Sequence, residues 1–225
     1  MKTTNRPLTT AAVLIVIGAT VGVTVPAQAE LTANFGVVSN YFYRGLSETD
    51  GDAAVQGGLD FEADSGIYAG TWVSNVDFGD GTSYELDVYL GFANELDSGL
   101  GYDFGYIYYA YPDAPGSADF GEVYGELSFG LFSGGLAYTL HDNTDSALET
   151  GDLYFHAGVE LPLSDDYNLG FLVGRTAFDD AEDYTHFTAS LGKETTSLGD
   201  FTFNLEYEDT FDEDLKAWVG WLIEF

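Results

Sequence analysis

The sequence predicts an all-β protein, an antiparallel transmembrane β-barrel of about 12 strands. The closing segment 215–225 alternates apolar residues with mixed ones and finishes on Phe225, and its length matches the roughly 9–11 residues of a tilted membrane-crossing strand. Segments with the same period of two recur along the chain about every 16 residues. Aromatic residues make up 16% of the chain and prolines number only five, which favours strands joined by tight turns.

The first 29 residues have the three parts of a secretory signal peptide. Lys2 and Arg6 supply the positive start, residues 11–25 are apolar and uncharged, and Ala27-Gln28-Ala29 matches a cleavage site. The apolar stretch is shorter than the ~20 residues that a spanning helix needs. We therefore expect residues 1–29 to be cleaved during export and residues 30–225 to form one barrel domain.

The charge of the chain excludes some partners. The sequence holds 38 acidic and 6 basic residues, and Lys2 and Arg6 lie in the predicted leader, so four bases remain against 38 acids. Nucleic acid is therefore a poor partner, because it is bound through Lys and Arg patches. The chain has no cysteine, so an exported fold must be held without disulfides, as a closed hydrogen-bond ladder can be.

Twelve segments carry the alternating pattern. In 83–95, for example, Tyr84, Leu86 and Val88 oppose Glu85 and Asp87. The predicted strands are 31–44, 53–62, 66–76, 83–95, 100–111, 120–129, 135–141, 152–161, 167–178, 184–193, 201–208 and 215–225.

The connections alternate in character and support an even number of strands. Those after the odd strands are acidic and contain no Lys or Arg, whereas most of those after the even strands are short and rich in Gly, Ser and Asp. Outer-membrane barrels have long outer loops and short periplasmic turns. A soluble barrel or sandwich of the lipocalin or jelly-roll kind shows the same alternation, with the apolar face turned inward. The leader, the one-sided acidic loops and Phe225 favour the membrane form.

Several runs in the first half of the chain resemble a known proteobacterial outer-membrane family, the TorF porin family. They are YFYRGLSET at 41–49, AVQGGLD at 54–60 and SGIYAGTWVSNV at 65–76, followed by YELDVY at 84–89 and YYAYP at 108–112. The resemblance covers about residues 35–125 and implies an outer-membrane barrel. Glu48 and Ala53 depart from the family, which tends to have Gln and Pro there.

An acidic lumen is expected if the apolar stripes face lipid. The inward candidates are Arg44, Lys216, Asp60, Glu85, Asp87, Glu122, Glu126, Glu206 and Glu208. Carboxylates around a water-filled pore favour cations. Because the first and last strands meet when a barrel closes, we expect Arg44 and Lys216 to lie together near the outer mouth, opposite an acidic wall. The alternative is that Arg44 pairs with interior carboxylates and stiffens a plugged barrel.

The predicted function is passive diffusion of small polar solutes or ions, with a preference for cations and with no cofactor. The expected partners are outer-membrane lipid and lipopolysaccharide, the barrel assembly machinery through Phe225, and the solutes themselves. A non-conducting structural or adhesive barrel is the alternative.

Three further readings of the acids and histidines stay open. The acids also suit a protein adapted to saline surroundings, or oxygen ligands for a divalent cation at 142–145 and 209–214. An outer-membrane hydrolase would need a serine beside one of the three histidines, and none of the three lies in a recognised motif.

Overall fold

The computed structural model describes residues 30–225, and the predicted signal peptide lies outside the described residues. Within this range no helix is long and apolar enough to cross a membrane. The strands in chain order are β1 (Glu30–Val38), β2 (Phe42–Tyr43), β3 (Leu46–Ser47), β4 (Ala54–Glu62), β5 (Ile67–Asn75), β6 (Tyr84–Glu95), β7 (Leu100–Ala110), β8 (Phe120–Phe129), β9 (Phe132–Asp142), β10 (Leu153–Ser164), β11 (Tyr167–Ala177), β12 (Tyr184–Lys193), β13 (Asp200–Glu208) and β14 (Lys216–Glu224).

Twelve of these strands form a closed antiparallel barrel, and β2 and β3 form a separate two-stranded hairpin. Each barrel strand pairs with its neighbours in the chain order, and β1 closes the ring by pairing with both β4 and β14. Phe35, for instance, lies opposite Gly57 on one side and Ile223 on the other. The predicted fold class and the strand number are confirmed.

The two faces of the barrel wall have opposite chemistry. Leu59, Leu90 and Leu136 on the outer face are each more than half exposed. Glu85, Thr139 and Thr176 on the inner face are each 2% exposed or less. A soluble barrel would bury its apolar face, so this arrangement excludes the lipocalin-like alternative and is the one that lipid requires.

Two ends of the barrel can be distinguished by their connections. The long-loop end carries the acidic loops that follow β5, β7, β9, β11 and β13, together with residues 39–53. At the short-turn end, β8 and β9 are joined by Gly130 and Leu131 alone, and β10 and β11 by Asp165 and Asp166. Long loops occupy the outer end of outer-membrane barrels.

Some predicted boundaries were wrong. The strand predicted to stop at Leu161 continues through Pro162 to Ser164, because Pro162 still pairs with Asn168 of β11 and lies beyond Val159, the last residue of β10 that pairs with β9. The first strand was predicted to reach Arg44 but ends at Val38. Arg44 and Gly45 both have positive φ, 49° and 87°, so the chain reverses there and cannot continue an extended strand.

A charge placed on the outer face at mid-strand tests the lipid contact. Leu90 lies near the middle of β6, and Leu90→Arg should lower the free energy of unfolding in phospholipid vesicles by about 2–4 kcal/mol. Leu96→Arg, in the short turn directly after β6, is the control and should cost about 0–1 kcal/mol. Urea titration of both variants gives the difference, and equal values would mean that Leu90 does not face hydrocarbon.

Candidate functional site

Residues 39–53, here called the plug loop, fold into the barrel lumen instead of covering its mouth. Tyr41, Phe42 and Arg44 are 9%, 7% and 6% exposed, so the tip of the loop is enclosed by the wall. The hairpin β2–β3 pairs Phe42 with Ser47 and Tyr43 with Leu46. The buried Thr49 links two parts of the loop. The Thr49 hydroxyl accepts a hydrogen bond from the Tyr41 N–H at 3.1 Å and donates one to the Asp52 carbonyl at 2.6 Å.

Aromatic contacts attach the plug loop to several strands. Tyr41 meets Trp72 of β5 edge to face at 5.4 Å, and Phe42 stacks on Trp218 of β14 at 6.3 Å between ring centroids. The Tyr43 hydroxyl lies 3.2 Å from that of Tyr109 on β7. The loop is therefore packed against the wall on more than one side.

A buried ion pair fixes the tip of the plug loop. The Arg44 guanidinium donates two hydrogen bonds to the Glu122 carboxylate of β8, at 2.6 and 3.0 Å. The two side chains are 3% and 1% exposed, and the guanidinium also lies 4.2 Å from the centroid of the Tyr154 ring. Since β8 lies six strands from β14 in the twelve-stranded ring, contacts with Glu122 and Trp218 mean that the loop crosses the whole lumen.

Gly45 allows the tip to approach the wall closely. Its φ is 87°, and a Cβ built there would lie 2.4 Å from the Cβ of His186 on β12. A side chain at this position would be strained and would also clash with His186. The structure thus explains the Arg44-Gly45 pair in the sequence motif. The turn that carries the charged Arg44 side chain requires, at the next residue, a backbone conformation that only glycine adopts without strain.

The interior acids are mostly paired with neutral donors. Asp60 accepts hydrogen bonds from Asn34, at 3.1 Å, and from Tyr89. Glu206 accepts from Thr188 at 2.6 Å and from Trp218 at 3.4 Å, and Glu126 faces His156 Nε2 at 2.7 Å. Glu208 accepts from the N–H groups of residues 210 and 211, at 2.8 and 2.9 Å, and so anchors a loop. Glu85 and Asp87 are almost fully buried, and each keeps one oxygen without a hydrogen-bond partner.

The expectation that Arg44 and Lys216 lie together near the outer mouth is wrong. Arg44 lies inside the barrel on Glu122, whereas Lys216 lies at the rim and pairs with Asp212 at 2.8 Å. The reason is the early end of β1 at Val38, which takes Arg44 off the seam between β1 and β14 and carries it inward on the plug loop. The alternative stated for Arg44, pairing with an interior carboxylate, describes the geometry.

A cavity of about 930 Å³, here called the vestibule, lies above the plug loop at the long-loop end. Phe78, Phe178 and Phe211 line it. Its lining also includes one base, Lys216, and the acids Asp50, Asp77, Glu149, Asp152, Asp180 and Asp212. Below, a cavity of about 30 Å³ lies between Arg44, Glu122 and His156. The plug loop separates a wide acidic vestibule from a space about as large as one water molecule.

Rim carboxylates are held in their charged form. A hydrogen bond from Lys216 lowers the pKa of Asp212, and hydrogen bonds from Ser83 lower the pKa of Asp113. The N–H of Thr82, at 2.8 Å, does the same to the pKa of Asp80. Because these pKa values lie below the usual range, the rim stays negative at neutral pH and loses charge only in stronger acid.

The loops suggested as divalent-cation sites use their acids for loop structure. Asp142 accepts from the N–H and hydroxyl of Thr150 at 3.0 and 2.6 Å, and Asp209 accepts from the Thr185 N–H at 2.7 Å. In the part of the chain from residue 30 onward, no group of three or more His, Cys, Asp and Glu side chains is arranged to hold a metal ion.

The histidines face residues other than serine. The Nε2 atoms of His141, His156 and His186 lie 2.6, 2.7 and 3.0 Å from side-chain oxygens of Tyr106, Glu126 and Tyr154. These contacts do not form the nucleophile–base pair of a serine hydrolase.

The aromatic and histidine residues of the wall that contact the plug loop were not identified from the sequence; they are Trp72, Tyr109, Tyr154, His186 and Trp218. The period-two pattern places those on the barrel strands on the polar, inward face, where an aromatic side chain is unexpected in an open pore. That signal was available, but the loop they contact could not be placed without the fold.

A closed barrel with an apolar outer face and a polar interior defines the chain structurally as an outer-membrane-type β-barrel protein. Solved structures share the fold. The KdgM porin matches with a TM-score of 0.58 at 7% identity, covering 86% of this chain and 98% of that one. The COG4313 outer membrane channel from Pseudomonas putida F1 matches with a TM-score of 0.54 at 11% identity, covering 90% and 97%. Outer membrane phospholipase A from Escherichia coli matches with a TM-score of 0.50 at 13% identity, covering 88% and 98%.

The chain belongs to the Gcw_chp family, described as bacterial proteins of unknown function, whose profile matches residues 23–221. No curated protein matches it. The resemblance to the TorF porin family stays a prediction. At these identities the solved structures establish the architecture alone, and both channels and an enzyme share it.

Removing one partner of the buried pair should destabilise the barrel. Glu122→Gln leaves the buried Arg44 without its counter-charge and should lower the free energy of unfolding by about 3–5 kcal/mol, measured by urea titration of the refolded protein. Lys216→Gln, which breaks the exposed pair at the rim, is the control and should leave the titration unchanged. Equal effects would contradict a tightly packed plug.

Proposed function

We propose that the protein is an outer-membrane porin-like channel for passive diffusion of small polar solutes or ions, with a preference for cations, and that the plug loop closes it at rest. The supporting observation is the acidic interior of a closed barrel, which opens at its long-loop end into the vestibule. A barrel that served only as an anchor would not need an acidic vestibule above its lumen.

The preference for cations follows from the charges along the path. The vestibule is lined by six acids and one base, and that base is already paired with Asp212. Inside, Arg44 is neutralised by Glu122, so it adds no net positive charge to the path. A negative, narrow cavity raises the local concentration of cations and repels anions.

The plug loop is the part that must move for solute to pass. Phe42 and Arg44 contact opposite sides of the lumen, and the cavity beside Arg44 and Glu122 has room for about one water molecule. An open state therefore needs the Arg44–Glu122 pair to separate. In proteins, such loops move on microsecond or longer timescales.

Conductance of the double variant Arg44→Gln/Glu122→Gln tests the channel and its gate together. Replacing both partners removes the attraction without leaving a buried charge, so the plug loop should dock less tightly and the open probability in planar bilayers should rise about tenfold for each 1.4 kcal/mol lost. Arg175→Gln, at a half-exposed pair near the rim, is the control and should behave as the unmodified protein.

The same recordings report selectivity. In a salt gradient the reversal potential should have the sign of cation flow, because the vestibule is negative. A reversal potential with the sign of anion flow would overturn the preference.

A non-conducting structural barrel is the second candidate, favoured by the same plug loop. Absence of conductance in both the unmodified protein and the double variant, with correct insertion, would support it.

A further inference from the structure

The residues around the interior acids Glu85 and Asp87 do not compensate for a negative charge on either carboxyl group. Both point inward from β6, and they are 2% and 5% exposed. Glu85 Oε2 and Asp87 Oδ1 have no hydrogen-bond partner. An ionised carboxylate buried in this way is strongly unfavourable unless a base or several donors compensate for it.

The side chains around the pair are acids, phenols and neutral groups. On the strand ladder, Glu85 lies opposite Ser74, and Asp87 lies opposite Trp72 and Tyr109. The titratable groups that act on the pair are Tyr41 and Glu48 from the plug loop, Tyr89 from β6, and Tyr109 and Tyr111 from β7 and its loop. Arg44, the basic residue of the plug loop, is paired with Glu122.

The two carboxyl groups also act on one another. Glu85 and Asp87 are two residues apart on the inward face of β6, so their buried carboxyl groups are neighbours on one strand. Two carboxyl groups can share a hydrogen bond only when at least one of them carries a proton, as in paired carboxyl groups that titrate together. Two carboxyl groups suit a proton better than a divalent cation, because a divalent cation takes six or more oxygen ligands and a proton needs only two.

We propose that Glu85 and Asp87 form a proton-binding site behind the plug loop, and that loss of the shared proton releases the loop from the lumen. With the proton bound, the pair carries less charge and Tyr41 and Glu48 pack against it. With the proton lost, two carboxylates and Glu48 lie together without a base. The repulsion is relieved when the loop carries Glu48 away and water enters.

The direction of the effect follows from linkage. The docked state binds the proton more tightly than the undocked state, so a rise in pH favours undocking, by about tenfold per pH unit for one proton. Glu48 lies outside the membrane-spanning strands, and burial, followed by the negative charge of Glu85, raises its pKa. Its ionisation would act in the same direction.

Tryptophan fluorescence follows the loop without any need for conduction. Trp72 contacts Tyr41, and Trp218 stacks on Phe42, so both change environment when the loop leaves. Trp221 donates to the Leu198 carbonyl at the short-turn end, and Trp221→Phe removes its background. We expect a reversible change in emission as the pH of the refolded protein is raised from about 4 to about 9, the range in which buried carboxyl groups titrate.

Three variants assign this change. Glu85→Gln/Asp87→Asn should abolish the part of the change that the shared proton causes, because the amides cannot ionise, and should leave only the smaller part due to Glu48. Glu48→Gln, which lies on the loop and leaves the barrel wall intact, should move the transition to higher pH. Asp97→Asn, an exposed residue of a short turn, is the control and should titrate as the unmodified protein does.

The consequence of the proton site for transport rests on the proposed channel function. Conductance recorded over the same pH range tests the proton site and the channel function separately. A fluorescence transition without conductance would leave the proton site standing and overturn the channel. Conductance that is independent of pH, with no fluorescence transition, would overturn the proton site and leave the channel. The proton site would also be overturned if the transition persisted unchanged in Glu85→Gln/Asp87→Asn. It would be overturned too if millimolar Mg²⁺ or Ca²⁺ suppressed the fluorescence change at constant pH.

Discussion

Backbone hydrogen bonding in hydrocarbon is the constraint on which the rest of this structure depends. A strand in a bilayer cannot leave its N–H and C=O groups to water, so the sheet must close on itself. Here β1 supplies the closure by pairing on both edges, with β4 and with β14. Once the sheet is closed, a period of two sends every second side chain to lipid and the others to the lumen. The polar interior is thus a consequence of closure.

A polar interior in a chain so poor in bases must balance its charge in other ways. One base, Arg44, reaches the interior on the plug loop, and its two terminal nitrogens pair with the Glu122 carboxylate. Asp60 and Glu206 instead rely on amide, phenol, hydroxyl and indole donors. Neutral donors stabilise a carboxylate less than a cation does. Glu85 and Asp87 each keep one oxygen without a hydrogen-bond donor, and they lie beside the plug loop.

The plug loop combines strong and weak attachments. The Arg44–Glu122 pair and the stacking of Phe42 on Trp218 hold it to opposite walls. Tyr41 and Glu48 hold it beside two acids that repel it when charged. The gate proposed for this loop needs two arrangements of similar energy. The same loop, if permanently docked, would make the barrel a closed anchor.

The alternation of residues determined the strands, their number and the face that meets lipid, because these depend only on the local period and on the membrane as solvent. Glu85, Asp87, Glu122 and Glu206 were placed inward by parity alone, and their burial agrees with that placement. Parity could not show where β1 would end, since Arg44 and Gly45 adopt positive φ and turn the chain inward. Only the tertiary structure decided that Arg44 meets Glu122 and that Lys216 stays at the rim, because contacts across a lumen join residues whose separation in sequence carries no periodic signal.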